Sequence, residues 1–141
     1  MKPVPYTHNP MQRAVESFFL ILSGGVLYCA LEILERGRTH PSMAVCGAVC
    51  FVFVYRLNER YTRLPVLLRA TVGALFITGV ELFAGCLLNL GLGLAVWDYS
   101  SLPYHFLGQI CLRYSILWFL LCIPLSGLCY LIRRHVFLAN G

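Results

Sequence analysis

The 141-residue chain is 59% hydrophobic, 12% charged and carries a formal net charge of +5, with a mean hydropathy of +0.74. That is more apolar surface than one soluble core of this size needs, so the composition excludes an ordinary water-soluble domain and calls for a bilayer. The lysines and arginines flank apolar spans, where they anchor helices and set orientation, and nucleic acid is not an expected partner.

From Met1 to Arg13 there are three prolines and no basic segment leading into a cleavable apolar core, so no removable signal peptide is expected. The first apolar span runs from about 15 to 34, with Glu16 and Glu32 near its ends, and stops at the turn Glu35-Arg36-Gly37-Arg38-Thr39-His40-Pro41. The second, about 42 to 55, is short enough to be either a crossing or a re-entrant segment, with Arg56 and Tyr61 extending it by snorkelling. The third, about 65 to 90, has Arg69 at its start and Glu81 deep inside, and Gly91 and Gly93 weaken the helix as it exits. An external loop, 91–106, leads to the fourth span, about 107 to 132, which contains Pro124 as an expected kink and closes on Arg133, Arg134 and His135.

These elements predict an all-α membrane protein with four transmembrane helices in a single membrane domain, residues 1–141, in contact with membrane lipids. If both ends share a side, that side holds Lys2, Arg13, Arg56, Arg60, Arg63, Arg69, Arg133 and Arg134, and the other holds Arg36, Arg38 and Arg113. The positive-inside rule then places both termini in the cytoplasm. In a bacterium the membrane is the plasma membrane. Cys29, Cys46, Cys50, Cys86, Cys111, Cys122 and Cys129 fall mostly within apolar stretches and read as small hydrophobes. Cys46 and Cys50 lack further ligands at metal-site spacing, so neither a metal nor another cofactor is expected.

An ionised carboxylate at the depth of Glu81 costs at least about 2.5 kcal/mol unless it is paired, protonated or wet. Thr78, Glu81, Gly85 and Asn89 follow at intervals of three, four and four, which puts them on one helix face and turns that face toward other helices. A second stripe, Gly24, Tyr28 and Glu32, runs along the first span, and Gln109 and Arg113 lie four apart near the start of the fourth. One polar cluster can hold Glu32, Asn89, Gln109 and Arg113 above Glu81, with Arg113 as the countercharge. Its role is either helix packing or the lining of a path. In the external loop, Trp97, Asp98, Tyr99, Ser100, Pro103, Tyr104 and His105 read on composition alone as an interfacial aromatic belt.

The combination Glu81-x-x-x-Gly85-x-x-x-Asn89, Trp97-Asp98-Tyr99-Ser100-x-x-Pro103, Gly108-Gln109-Ile110-Cys111-Leu112, Ser115 and Trp118 resembles the signature of the CmpB-type putative ABC-transporter family, type IV, which also has animal transmembrane relatives. Glu32 and the Arg36-Gly37 turn resemble the family's acidic residue and basic turn. His105 and Arg113 depart from the pattern, standing where many relatives have Asn and Pro. The resemblance implies a transporter permease-type subunit, working as a homo-oligomer or with other membrane subunits and a separate ATPase. It also raises Glu81 and the Trp97 to Pro103 segment from packing and belt to the centre of function. Because the chain has no phosphate-cradling Gly-x-x-x-x-Gly-Lys loop, it is not expected to hydrolyse a nucleotide itself. The alternatives are a small membrane enzyme acting on a lipophilic substrate, with Glu81, Asp98 and His105 as acid-base groups, and a membrane adaptor.

Overall fold

The computed structural model describes residues 9–137 of the protein; Lys2 and most of the segment read for a signal peptide lie outside them. Helix α1 spans Pro10–Arg36, α2 Pro41–Arg60, α3 Val66–Gly85 and α4 Leu112–Ile132. With the wider π-type turns Cys86–Gly91 and Arg133–Phe137 that prolong α3 and α4, all four are long and apolar enough to cross a membrane. The chain divides into two compact units, one containing residues up to Leu64 and from Leu128 onward, the other Pro65–Gly127.

In the first unit, α1 starts several residues before the expected position 15 because its N-terminus is capped. The Asn9 side chain accepts from the Met11 N–H at 3.3 Å while Gln12 Oε1 accepts from the Asn9 N–H at 3.2 Å, with Pro10 at the first helical position. Helix α2 is likewise opened by Pro41, with His40 Nδ1 accepting from the Ser42 N–H. It is a continuous 20-residue helix rather than the short span 42–55. Its charged last turn stays helical because the polar groups there are met. Arg56 donates to Glu16 at 3.2 Å, Glu59 at 2.9 Å and Ser17 at 3.2 Å, and Asn58 donates to the Val54 carbonyl at 2.8 Å. Arg56 therefore does not simply snorkel outward.

Between α1 and α2 the core is Leu20, Met43, Ala48, Cys50, Phe51, Val54 and Tyr55. The two backbones come close where Gly24 faces Phe51 and Gly47 faces Tyr28. Phe137 meets Phe19 and Tyr55 edge to face, with ring centroids at 5.6 and 6.3 Å.

In the second unit, Pro65 caps α3, and the helix loosens at Cys86–Gly91, where the Leu92 N–H reaches back five residues to the Leu87 carbonyl at 3.0 Å. The fourth helix begins at Leu112 rather than near 107. Residues 105–111 instead form an antiparallel pair, β1 (His105–Phe106) and β2 (Ile110–Cys111), with Phe106 opposite Ile110. This small strand ladder is absent from an all-α expectation. It is turned by Leu107 and Gly108, at φ +55° and +69°, the positive-φ pattern of a primed hairpin turn. Leu107 costs roughly 1 kcal/mol in that conformation, and its carbonyl is held by the Gln109 side chain at 3.0 Å. Pro124 lies within α4, which continues through it.

Candidate functional site

Helix α3 carries Glu81 inward, the residue only 6% exposed, and its carboxyl group is met on both oxygens by neutral donors. The Tyr99 hydroxyl donates to Oε1 at 2.7 Å and the Trp118 indole N–H donates to Oε2 at 3.2 Å. One turn earlier on each helix, the Thr78 and Ser115 hydroxyls pair at 3.0 Å. Tyr99 reaches this depth because the loop folds inward: its ring stacks on Tyr114, centroids 4.8 Å apart, and its backbone N–H donates to the Gly108 carbonyl at 2.7 Å.

A second layer holds the loop in place. Gln109, 3% exposed, accepts from Asn89 at 2.7 Å, donates to the Leu107 carbonyl, and offers its own carbonyl to the Trp97 indole at 3.0 Å. Asn89 in turn accepts from the Val96 N–H at 2.7 Å, which ties the loop to the end of the third span. Gly85 makes room for this layer: a Cβ there would lie 2.6 Å from Gln109 Oε1 and 2.8 Å from its Cβ. Gly85→Ala is therefore expected to displace Gln109 and destabilise the protein. The overpacking cost of about 1–3 kcal/mol exceeds the gain of up to about 1 kcal/mol for alanine over glycine in a helix. Unfolding in mixed detergent–SDS micelles measures the difference; a more stable Gly85→Ala protein would contradict this packing.

The exposed rim is built by Asp98, Ser100 and His105. Asp98 Oδ1 accepts from the Ser100 N–H at 2.9 Å, and the Ser100 hydroxyl and N–H together hold the Asp98 carboxyl below its ordinary range. Gly108 sits against this group, since a Cβ there would be 2.9 Å from Asp98 Oδ1. His105 Nδ1 accepts from the Gly108 N–H at 3.1 Å, so in this arrangement the neutral ring carries its proton on Nε2.

Within the second unit, the residues singled out from the sequence fall into two sets. Glu81, Asn89, Trp97, Tyr99 and Gln109 form a hydrogen-bonded assembly with Trp118, packed against Gly85, in which Asn89 and Trp118 are half-buried and the others buried. Trp97 and Tyr99 are each only 4% exposed, turned into the protein. Asp98, Ser100, Pro103 and His105 stay exposed. Arg113 is exposed too, its guanidinium 6.0 Å from the Tyr114 ring centre, and the donors resolved on both Glu81 oxygens are neutral. Tyr28 and Glu32 belong to the first unit. There Glu32 is buried with Oε2 lacking a hydrogen-bond partner, and the positive charges of Arg36 and Arg38 act on it. Sequence reasoning missed Tyr114, which carries no motif of its own, and the Glu16–Arg56 ion pair, whose partners are forty residues apart.

A family model described as "Putative ABC-transporter type IV" matches residues 26–139, which covers most of the chain and every residue of this assembly. No curated protein and no solved structure matches.

Proposed function

The chain belongs to the Putative ABC-transporter type IV family, and on that premise we propose that it is a permease-type membrane subunit in which the Glu81 assembly lies on the solute path. The observation that carries this reading is a buried carboxylate in an apolar span whose neighbours are ordered around it by a dedicated loop. Packing alone asks for no such charge at that depth, since apolar side chains fill a helix interface at lower cost.

In this proposal the whole chain is one membrane domain, both termini are cytoplasmic, and the loop with its hairpin is external. Apolar side chains such as Phe18, Val26, Leu34, Leu75 and Phe83, each well exposed, contact lipid. Four helices scarcely enclose a path alone, so the working form is an oligomer or a complex with other membrane subunits. Nucleotide hydrolysis comes from a separate ATPase. The enzyme reading draws less support from the geometry. Asp98 Oδ1 is engaged by Ser100 and His105 Nδ1 by Gly108, both in holding the loop.

Purification from native membranes in mild detergent, followed by mass spectrometry and an ATPase assay, tests the proposal. The expected result is a co-purifying P-loop ATPase whose activity is lost when the chain is isolated. Stoichiometric ATP hydrolysis by the isolated chain, or its recovery with no ATPase at all, would overturn it.

A further inference from the structure

We propose that Glu81 is a reversible proton-binding site, taking its proton on Oε1 in partnership with the Tyr99 hydroxyl. This deepens the reading of the Glu81 assembly as functional, but it stands on the assembly's geometry and needs neither an ATPase nor a transported solute.

Donor and acceptor capacity decides which oxygen takes the proton. An ionised carboxylate is acceptor-only and suits donors on both oxygens, as Tyr99 supplies on Oε1 and Trp118 on Oε2. The two donors are not equivalent. An indole N–H only donates, whereas a phenolic hydroxyl donates or accepts. A proton arriving on Oε2 would set O–H against the Trp118 N–H and break that bond. On Oε1 it lets the bond to Tyr99 reverse: Glu81 O–H donates to the tyrosine oxygen, the tyrosine hydrogen swings away, and Oε2 goes on accepting from Trp118. One proton is taken from water, the carboxylate charge goes from minus one to zero, and no other bond between heavy atoms forms or breaks.

The remaining surroundings fit the same ligand. Against Glu81 stand Tyr99 of the loop, Trp118 of α4 and, on the neighbouring turns, Tyr114, Thr78 and Ser115. The titratable groups in that set are the two tyrosines, and the nearest arginine in sequence to Tyr114, Arg113, is exposed. A metal or organic cation would need acceptors here and would have to displace both donors; a proton needs only one bond to reverse. That reversal has an outlet. The Tyr99 N–H is bonded to the Gly108 carbonyl, and the Gly108 N–H to His105 on the exposed rim, so a change at Oε1 acts on the residue that pins the loop.

The chain has two tryptophans, and Trp118 reports charge at Oε2. The full-length protein, reconstituted in phosphatidylethanolamine–phosphatidylglycerol vesicles, is titrated between about pH 4 and pH 9, a range that brackets ordinary and raised carboxyl values. Tryptophan emission and the infrared carboxylic-acid carbonyl band are both followed. Wild type is expected to show one transition in both signals. Glu81→Gln should lose it while remaining folded by circular dichroism, because its amide presents N–H to Tyr99 and C=O to Trp118 as the acid form does. Tyr99→Phe, which removes a donor that favours the carboxylate, should move the midpoint up by about one pH unit, a tenfold change in proton affinity. Persistence of both signals in Glu81→Gln, or their absence in wild type, would overturn the proton site. An unmoved midpoint in Tyr99→Phe would overturn the partnership with the Tyr99 hydroxyl. A normal titration in a chain that recruits no ATPase would sink the permease reading and leave the proton site standing.

Discussion

Glu81→Leu is expected to destabilise the protein by about 1–3 kcal/mol and to abolish whatever activity the assembly supports. The substitution removes the acceptor of the buried Tyr99 hydroxyl and of the half-buried Trp118 N–H; an unsatisfied buried group costs about 1–3 kcal/mol. Two effects reduce the sum. Removing a buried carboxyl recovers its desolvation cost, and hydrogen bonds between membrane helices average only about 0.6 kcal/mol because the unfolded state in the bilayer also finds partners. Glu81→Gln retains both bonds and should lose less than about 1 kcal/mol of stability. The folded fraction in mixed detergent–SDS micelles measures both variants. Wild-type stability of Glu81→Leu would mean that the carboxyl group does not hold this loop.

Gly24→Val is expected to cost more than any substitution in the Glu81 assembly, roughly 3 kcal/mol or above, beyond the usual range for overpacking. A Cβ at position 24 would lie 2.5 Å from Phe51 Cβ, 3.0 Å from the Gly47 carbonyl oxygen and 3.1 Å from Ala48 Cα. All three atoms belong to the α2 backbone or the carbon bonded to it, so no rotamer change relieves the clash and the helices must part. Parting also strains the Glu16–Arg56 ion pair farther along the same two helices. Gly79→Ala is the matched control. Nothing lies within 4 Å of its would-be Cβ, and it should be neutral or gain up to about 1 kcal/mol. The same unfolding titration compares the two; equal behaviour would contradict the close approach of α1 and α2.

Periodicity made part of this structure legible. The four-residue interval of Glu81, Gly85 and Asn89 puts them on one helix face, and the structure fills that face with Gln109, Tyr99 and Trp118. Composition and spacing likewise marked four apolar segments. What periodicity does not encode is partnership between distant residues. Nothing local announces that Glu16 pairs with Arg56 and allows α2 to remain helical to Arg60, so the span looked shorter than it is. The hairpin was hidden for another reason. Its strands are two residues each, too short for alternation to register, and its turn places Leu107 in a conformation that sequence preference assigns to glycine. Composition also does not say which aromatics of the loop turn inward. Tyrosine and tryptophan favour the membrane interface in general, but here Trp97 and Tyr99 each find a specific buried acceptor, and Tyr104, 82% exposed, is the one left outward.

The bond from the loop tyrosine to the buried carboxyl group joins the loop to α3, and a double-mutant cycle measures it directly. Unfolding free energies of wild type, Tyr99→Phe, Glu81→Leu and the double variant in mixed detergent–SDS micelles give the coupling between the two side chains without requiring a known activity. A favourable coupling of about 0.5–1.5 kcal/mol is expected, within the range found for hydrogen bonds between membrane helices. The double variant would then lose less stability than the sum of the single ones. Strict additivity would show that Tyr99 and Glu81 do not hold one another, and would contradict the assembly on which the proposed function and the proton site are built.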